Sequence, residues 1–107
     1  MTADEEILKG RDVKAMNEVL LDLQQQGKTK ADANTAQKRI IKRGLRARER
    51  FVMGNIRLVV SVAQKWTHTK APFEDLFSEG IVGLHRAAEL FDFERGYKFS
   101  TYAYWWI

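Results

Sequence analysis

The chain has 107 residues, of which 45% are hydrophobic and 30% are charged, an ordinary balance for one globular domain with a modest core. It has no cysteine and only two histidines, which excludes disulfide bonds and cysteine-based metal sites, and two histidines alone do not complete a metal shell. The net charge of +4 is unevenly spread: residues 1–27 hold six acids and three bases, 28–50 hold nine bases and two acids, and 51–107 hold six of each.

The basic block at residues 28–50 has two interpretations that charge alone leaves open. It is either a phosphate-binding surface or the solvated face of a helix. No stretch approaches the ~20 apolar residues that a membrane span needs, and the acidic start MTADEEILKG is unlike a signal peptide. We therefore expect a cytoplasmic protein with no membrane partner, no metal and no cofactor.

The first predicted element is a helix that ends at Gly27. Thr2-Ala3-Asp4-Glu5 fits a capping box, with Thr2 as the N-cap and Glu5 reaching back to it. Gly27 is a natural C-cap, and before it apolar residues recur at helical spacing: Ile7, Leu8, Val13, Met16, Leu20 and Leu23. A polar connection follows over residues 28–35.

A long helix, or two abutting helices, is predicted from about Ala36 to Thr67. Its first half, 38–50, is mostly basic. Its second half, 55–66, is apolar on most faces, which indicates a helix at the centre of a bundle. Glycines at 44 and 54 each cost roughly 1 kcal/mol in a helix interior, so they mark close helix approaches or a bend.

The next helix is predicted to open at Pro72, because proline is tolerated in the first helical turn. It carries an apolar stripe at helical spacing: Phe73, Leu76, Phe77, Gly80, Leu84, Ala87, Ala88 and Phe91. A turn around Gly96 follows, and Ser100 is the predicted N-cap of a last helix that places Tyr102, Trp105 and Trp106 on one side. The prediction is an all-α bundle of four to five helices, forming a single unit over 1–107.

Eight of the twelve aromatic residues fall between Phe91 and Trp106. A short final helix buries about three of these rings in its one apolar stripe. The others either stack on the bases of a nucleic acid or belong to half of a core whose covering element is expected beyond residue 107. Composition leaves both interpretations open.

Catalysis is not predicted. Asp75 and Glu79 lie four residues apart on one helix face, but no histidine, apolar pocket or phosphate-binding glycine loop accompanies them. A solvated or partner-facing acidic patch explains them better. His85 lies off the apolar stripe, at a surface position.

Three stretches, NIRLVVSVAQKW (55–66), FEDLFSEGIVGLHRAAELFD (73–92) and RGYKFSTYAYWWI (95–107), closely resemble the second domain of bacterial RNA polymerase sigma factors of the housekeeping type. TADEEI near the start and RGLRARERFVMGN (43–55) resemble the conserved helices that precede it, and RARER and AYWWI resemble cyanobacterial versions. The resemblance implies an all-helical unit divided into an N-terminal helix (1–27), a basic connector and helix (28–54), and the functional helices (55–107).

The resemblance implies that the unit captures the non-template strand of the promoter −10 element as single-stranded DNA. Tyr102 would stack on a flipped adenine, in a pocket shaped by Phe91, Asp92, Arg95, Thr101 and Trp105. Asp92 stands where the family usually has Glu. Trp105 and Trp106 would form a wedge at the edge of the duplex, and Tyr97 and Lys98 would contact the strand. A second pocket, for a thymine, would include Asn55 and Ser100. The basic run 38–50 would lie near DNA.

The resemblance also implies a docking surface for a coiled coil, the clamp, of the largest subunit of core RNA polymerase. The matching positions are Ile56, Val59, Asp75, Ser78, Glu79, Ile81 and His85. Ser78 and Ile81 replace the more common Gln and Asn. Relative to the family, the chain is expected to be truncated at both ends. An alternative function is therefore a protein-interaction module, which binds the clamp or an anti-sigma protein without productive DNA binding.

Overall fold

The computed structural model describes all 107 residues and consists of five α-helices joined by short connections, without a β-strand. The helices are α1 (Ala3–Gln25), α2 (Thr35–Met53), α3 (Ile56–Lys65), α4 (Phe73–Leu90) and α5 (Phe99–Tyr104). Three 3-10 turns lie between them, at Lys30–Asp32, Thr67–Thr69 and Phe93–Arg95. The all-α prediction of four to five helices is confirmed, and no helix is both long and apolar enough to cross a bilayer.

Local hydrogen bonds define the start of α1 and of α2. The Glu5 backbone N–H donates to Thr2 Oγ1 at 3.1 Å, and the Thr2 backbone N–H donates to Glu5 Oε1 at 3.4 Å, so the predicted capping box is confirmed. Asn34 and Gln37 form a second capping box at the start of α2. After α1 the chain turns at Gly27, whose φ of +70° favours glycine.

The capping box makes the stability of α1 dependent on pH. Hydrogen bonds from the Thr2 backbone and side chain hold the pKa of the Glu5 carboxylate below its ordinary value of 4.5. The ionised carboxylate therefore stabilises the fold above pH 4.5, and this contribution is lost as the pH falls through the lowered pKa. We expect Glu5→Gln, which keeps the bond but not the charge, to flatten the dependence of Tm on pH below 4.5. Asp12→Asn removes a carboxylate of the same helix outside the box, and an equal flattening in that variant would contradict this account.

Helices α1 and α2 pack antiparallel along most of their length. Arg50, near the end of α2, lies close enough to Glu5 to influence its titration, and Gly44 meets Met16 at mid-helix. A Cβ atom on Gly44 would overlap with the Met16 side chain, which is 1% exposed. Gly44 therefore marks a close helix approach, as one of the two sequence interpretations predicted. This long hairpin contributes to the elongated dimensions of 49 × 30 × 18 Å.

Helix α4, not α3, is the centre of the bundle. It packs against each of the other four helices and buries Leu84, Ala87 and Ala88 almost completely. Helix α3 has only ten residues and packs chiefly on α4, so only Val59, Val62 and Ala63 are buried. The prediction of a central position for residues 55–66 is therefore wrong, because a short helix with one main neighbour leaves its other apolar residues partly exposed.

Candidate nucleic-acid interface

An open pocket of about 370 Å³ lies where the end of α4, the following turn and α5 meet. Six residues line it: Leu90, Phe91, Asp92, Arg95, Tyr97 and Tyr102. Five of these were expected at the DNA-binding site, and Leu90 was not. The sharp turn at Gly96, with φ of +80°, folds the chain back so that residues 90–97 face Tyr102 of the next helix.

A cluster of aromatic rings supports this pocket from below. Phe51 and Phe99 are fully buried, with ring centroids 4.6 Å apart. Phe91 packs edge-on against both of them, at 5.6 Å and 5.2 Å. Tyr102 lies 6.0 Å from Phe91 and is only half-buried. Part of the ring cluster is therefore core within this chain, and part of it remains accessible, as stacking on a nucleic acid requires.

The polar groups of the pocket are an acid and a base. Asp92 Oδ1 accepts the Glu94 backbone N–H at 3.0 Å, and Asp92 Oδ2 accepts from Arg95 Nε at 3.3 Å. The short Asp side chain suits this local bond to the backbone two residues on. Both side chains are largely exposed, at 52% for Asp92 and 74% for Arg95, so their ion pair contributes little stability. Arg95 is thus held at the pocket while its guanidinium remains accessible.

Two residues expected in the pocket lie outside it. Helix α5 ends at Tyr104, and Trp105 is 83% exposed, with its ring edge-on to Tyr104 at 6.0 Å. Thr101 is exposed and does not line the pocket. Of the three residues expected on one side of the last helix, only Tyr102 and Trp106 come together, at 6.4 Å. The prediction is wrong for Trp105, whose ring packs on Tyr104 instead of Tyr102.

Asn55 and Ser100 are placed differently from each other. Asn55 is half-buried and donates from Nδ2 to the Phe51 carbonyl at 2.9 Å, which turns its amide toward α2. Ser100 is exposed and is the second residue of α5, whose N-cap is Lys98. The prediction that Ser100 caps α5 is therefore wrong. Lys98 and Tyr97 line a small cavity of about 70 Å³ beside the start of α1.

The start of α5 is held by a residue from the other end of the chain. Glu6 is buried, 8% exposed, and its Oε1 accepts the backbone N–H of Phe99 at 2.8 Å. This acid replaces Ser100 as the acceptor for the helix start. The sequence carried a signal for it, since Glu6 lies on the same helical face as Gly10 and Val13, both of which are buried. Gly10 in turn packs on the Phe93 ring.

Removal of this carboxylate is expected to loosen α5. Glu6→Ala leaves the buried N–H of Phe99 without an acceptor, which costs about 1–3 kcal/mol of unfolding free energy. Glu6→Gln retains an acceptor oxygen and is expected to lose less. Chemical denaturation measures the cost, and amide hydrogen exchange at Phe99 reports the bond itself. Equal losses in the two variants, with unchanged exchange at Phe99, would show that Glu6 does not hold the helix.

The chain after α5 packs against the glycines of α4. A Cβ atom on Gly83 would overlap with the carbonyl oxygen of Trp106, and one on Gly80 would crowd Val59. Trp106 and Ile107 thereby border an apolar groove of about 340 Å³ between α3 and α4, which Glu79 also lines. Trp106 is 40% exposed, so part of its side chain remains accessible although its backbone packs against α4.

The residues expected to contact polymerase lie mainly on the outer side of α4. Asp75, Ser78 and Glu79 are exposed, and neither acid forms an ion pair within the chain. Three more are half-exposed: Ile56, Ile81 and His85. Val59 is the exception, because it is fully buried against Gly80. Its expected contact with a partner is corrected to a role in core packing.

The comparisons with known proteins agree with this architecture. Residues 51–107 match the family described as Sigma-70 region 2. RNA polymerase sigma factor SigA of Microcystis aeruginosa is 56% identical over 73 residues, which cover 68% of this chain and 18% of that protein. RNA polymerase sigma factor SigA4 of Synechococcus elongatus is 42% identical over 107 residues, which cover 100% of this chain and 32% of that protein.

A third relative comes from Streptomyces. RNA polymerase principal sigma factor HrdD of Streptomyces viridifaciens is 43% identical over 88 residues, which cover 82% of this chain and 26% of that protein. The chain therefore spans less than a third of the length of each of these three relatives. The resemblance inferred from the motifs is confirmed, and the chain belongs to the sigma-70 family of RNA polymerase sigma factors, with its family-defining region 2 at residues 51–107.

Proposed function

We propose that this chain docks on core RNA polymerase and recognises and melts the promoter −10 element by capturing its non-template strand as single-stranded DNA. The observation that carries the proposal is the pocket of Phe91, Asp92, Arg95, Tyr97 and Tyr102, which combines partly or fully exposed tyrosine rings with an exposed guanidinium. A planar base stacks on such a ring, and the cation attracts the strand to which the base belongs.

The energetics of base flipping explain how such a pocket would capture a single strand. Extruding a base from the duplex costs a few kcal/mol in lost stacking and pairing, and stacking in a protein pocket offsets that cost. Each base–aromatic stack contributes about 1–3 kcal/mol. Tyr102 would receive the flipped adenine, and the buried rings of Phe51 and Phe99 keep its neighbour Phe91 in place.

The other residues expected to contact DNA differ in their exposure and packing. Tyr97 and Trp105 are exposed rings, 62% and 83%, which suits stacking on further bases or on the last base pair of the duplex. Trp106 packs beside Tyr102 and would help to form the wedge. The exposed side chains of Lys98, Ser100 and Thr101 would contact the strand, and Asn55 would contribute its free acceptor oxygen to the second base site.

Docking on polymerase would use Asp75, Ser78, Glu79, Ile81 and His85 of α4 together with Ile56. Unpaired acids beside half-exposed apolar residues suit a basic partner helix and speed association with it.

We expect Glu79→Lys to weaken binding to core polymerase at least tenfold in a titration, because it places a like charge against the partner. Arg86→Glu reverses a charge on the same helix nearer its end. Equal losses in both variants would argue against a specific role for Glu79.

The proposal is tested with two oligonucleotides in the presence of core polymerase. One is single-stranded and carries a TATAAT-like sequence, and the other differs only at the adenine after the first thymine. We expect clear preference for the first. Equal affinity for both would overturn base-specific capture, and it would leave the protein-interaction module, without DNA recognition, as the better account.

A further inference from the structure

A row of cations covers the exposed face of α2. Six basic side chains of this helix are exposed: Lys38, Arg39, Lys42, Arg43, Arg46 and Arg50. At about 100° per residue they fall within an arc of roughly 140°, and from first to last they span about 18 Å of helix. The opposite side is the buried one, with Ile41, Gly44, Ala47, Phe51 and Val52. We call these six residues the α2 basic face.

The charges of the α2 basic face are not neutralised within the chain. None of the six forms an ion pair, whereas Arg48, which is turned toward α4, pairs with Glu89 at 3.4 Å. Glu49, the one acid of the helix, is exposed and lies within the same arc, and Glu5 of α1 approaches Arg50 at its end. The face therefore holds six cations and one acid of its own helix, and a row with this excess of positive charge attracts a polyanion.

The side chains of the α2 basic face favour one class of polyanion over others. Its only large exposed hydrophobic neighbour on α2 is Met53, and the helix has no exposed aromatic ring. Binding of single strands relies on rings for stacking, and protein interfaces are enriched in aromatics and depleted in lysine. A surface that offers charge alone fits the phosphates of a duplex, which present a regular series of charges with the bases turned inward.

We infer that the α2 basic face binds the phosphate backbone of double-stranded DNA, separately from the aromatic pocket. Its 18 Å correspond to about five base pairs along one strand. Arg50 immediately precedes Phe51, the ring beneath the pocket, so the face leads away from the site of strand capture. The inference rests on the proposed function only for the location of that duplex next to the captured strand. Of the seven basic residues in 38–50, the six of this face would contact DNA, and Arg48, which pairs with Glu89, would not.

The test measures binding of the chain to a blunt 20-base-pair duplex without a −10 sequence, over 50–200 mM salt. For about six phosphate contacts, affinity is expected to fall roughly a thousandfold across this range. The variant Lys38→Gln/Lys42→Gln/Arg43→Gln/Arg46→Gln is expected to reduce the slope of log K against log salt by about 0.9 for each cation removed. Circular dichroism verifies that it remains folded.

A matched control removes two lysines and two arginines elsewhere: Arg11→Gln/Arg57→Gln/Lys65→Gln/Lys70→Gln, all at exposed positions. We expect this control to keep most of the slope. Equal reduction in the two variants would overturn the inference in favour of diffuse attraction. Intact duplex binding with weakened polymerase binding in the α2 variant would overturn it in favour of an acidic protein. Tyr102→Ala should leave the slope of log K against log salt for the duplex unchanged. A failure of base capture by the pocket can therefore be distinguished from a failure of duplex binding by the α2 basic face.

Discussion

Phe51→Ala is expected to lower the free energy of unfolding by about 3–5 kcal/mol, the range found for large aromatic truncations in a packed core. Phe51 is fully buried, and its ring lies 4.6 Å from Phe99 and 5.6 Å from Phe91. Its removal leaves a cavity under two helices and the turn between them. Because the free energy of unfolding of a domain is only about 5–15 kcal/mol, this single substitution removes a large part of it. Urea denaturation followed by circular dichroism measures the loss.

The matched control is Phe73→Ala, at the first residue of α4, where the ring is 39% exposed. It is expected to cost far less, because little cavity forms at a surface. Should Phe51→Ala prevent folding altogether, Phe51→Leu, which fills part of the space, provides a measurable intermediate value. A ranking in which Phe73→Ala is the more costly substitution would contradict the central position of Phe51 in the aromatic core.

Tyr102→Ala is expected to weaken binding of the −10 single strand by about 1–3 kcal/mol, or roughly 5- to 150-fold. The half-buried ring borders the pocket, and its loss removes the stacking surface without opening the deeper core of Phe51 and Phe99. The proposed docking residues of α4 do not line this pocket, so binding to polymerase is expected to remain. Fluorescence anisotropy with a labelled oligonucleotide, with core polymerase present, measures the change.

Tyr104→Ala is the natural control for this experiment. Tyr104 belongs to the same six-residue helix, is 46% exposed, and packs on Trp105 rather than at the pocket. We expect Tyr104→Ala to retain most of the affinity for the oligonucleotide. If both tyrosine variants lose affinity equally, the rings act as an unspecific surface, and the pocket has no special part in recognition.

Five of the six pocket residues were expected at the DNA-binding site, because the family resemblance assigns them to it. They lie within 91–102, and the turn at Gly96 helps to bring them together, while Phe51 of α2 and Glu6 of α1 support them from distant parts of the chain. The capping box at Thr2 and the buried stripe of α4 were readable, since hydrogen bonds and side-chain periodicity within one helix depend on local spacing. The docking positions on α4 are implied by the family resemblance, not by this periodicity.

The failed expectations all concern contacts between distant segments or the exact end of a helix. Ser100 looked like an N-cap, but Glu6, 93 residues away from Phe99, supplies the acceptor. Val59 was expected to contact a partner, but it packs into the core because Gly80 of α4 has no side chain in the space that Val59 fills. Trp105 was grouped with Tyr102, but α5 ends one residue before it.

The amino-acid sequence by itself determined the helical class, the start of α1, the charge of the α2 basic face and the aromatic composition of the pocket, because these depend on neighbours within a few residues. The tertiary structure decided which side chains remain accessible. It placed α4 at the centre, buried Val59 and Phe51, paired Arg48 with Glu89 and left six cations of α2 free. The physical reason is that burial and ion pairing depend on which helix packs on which, and no local pattern contains that information.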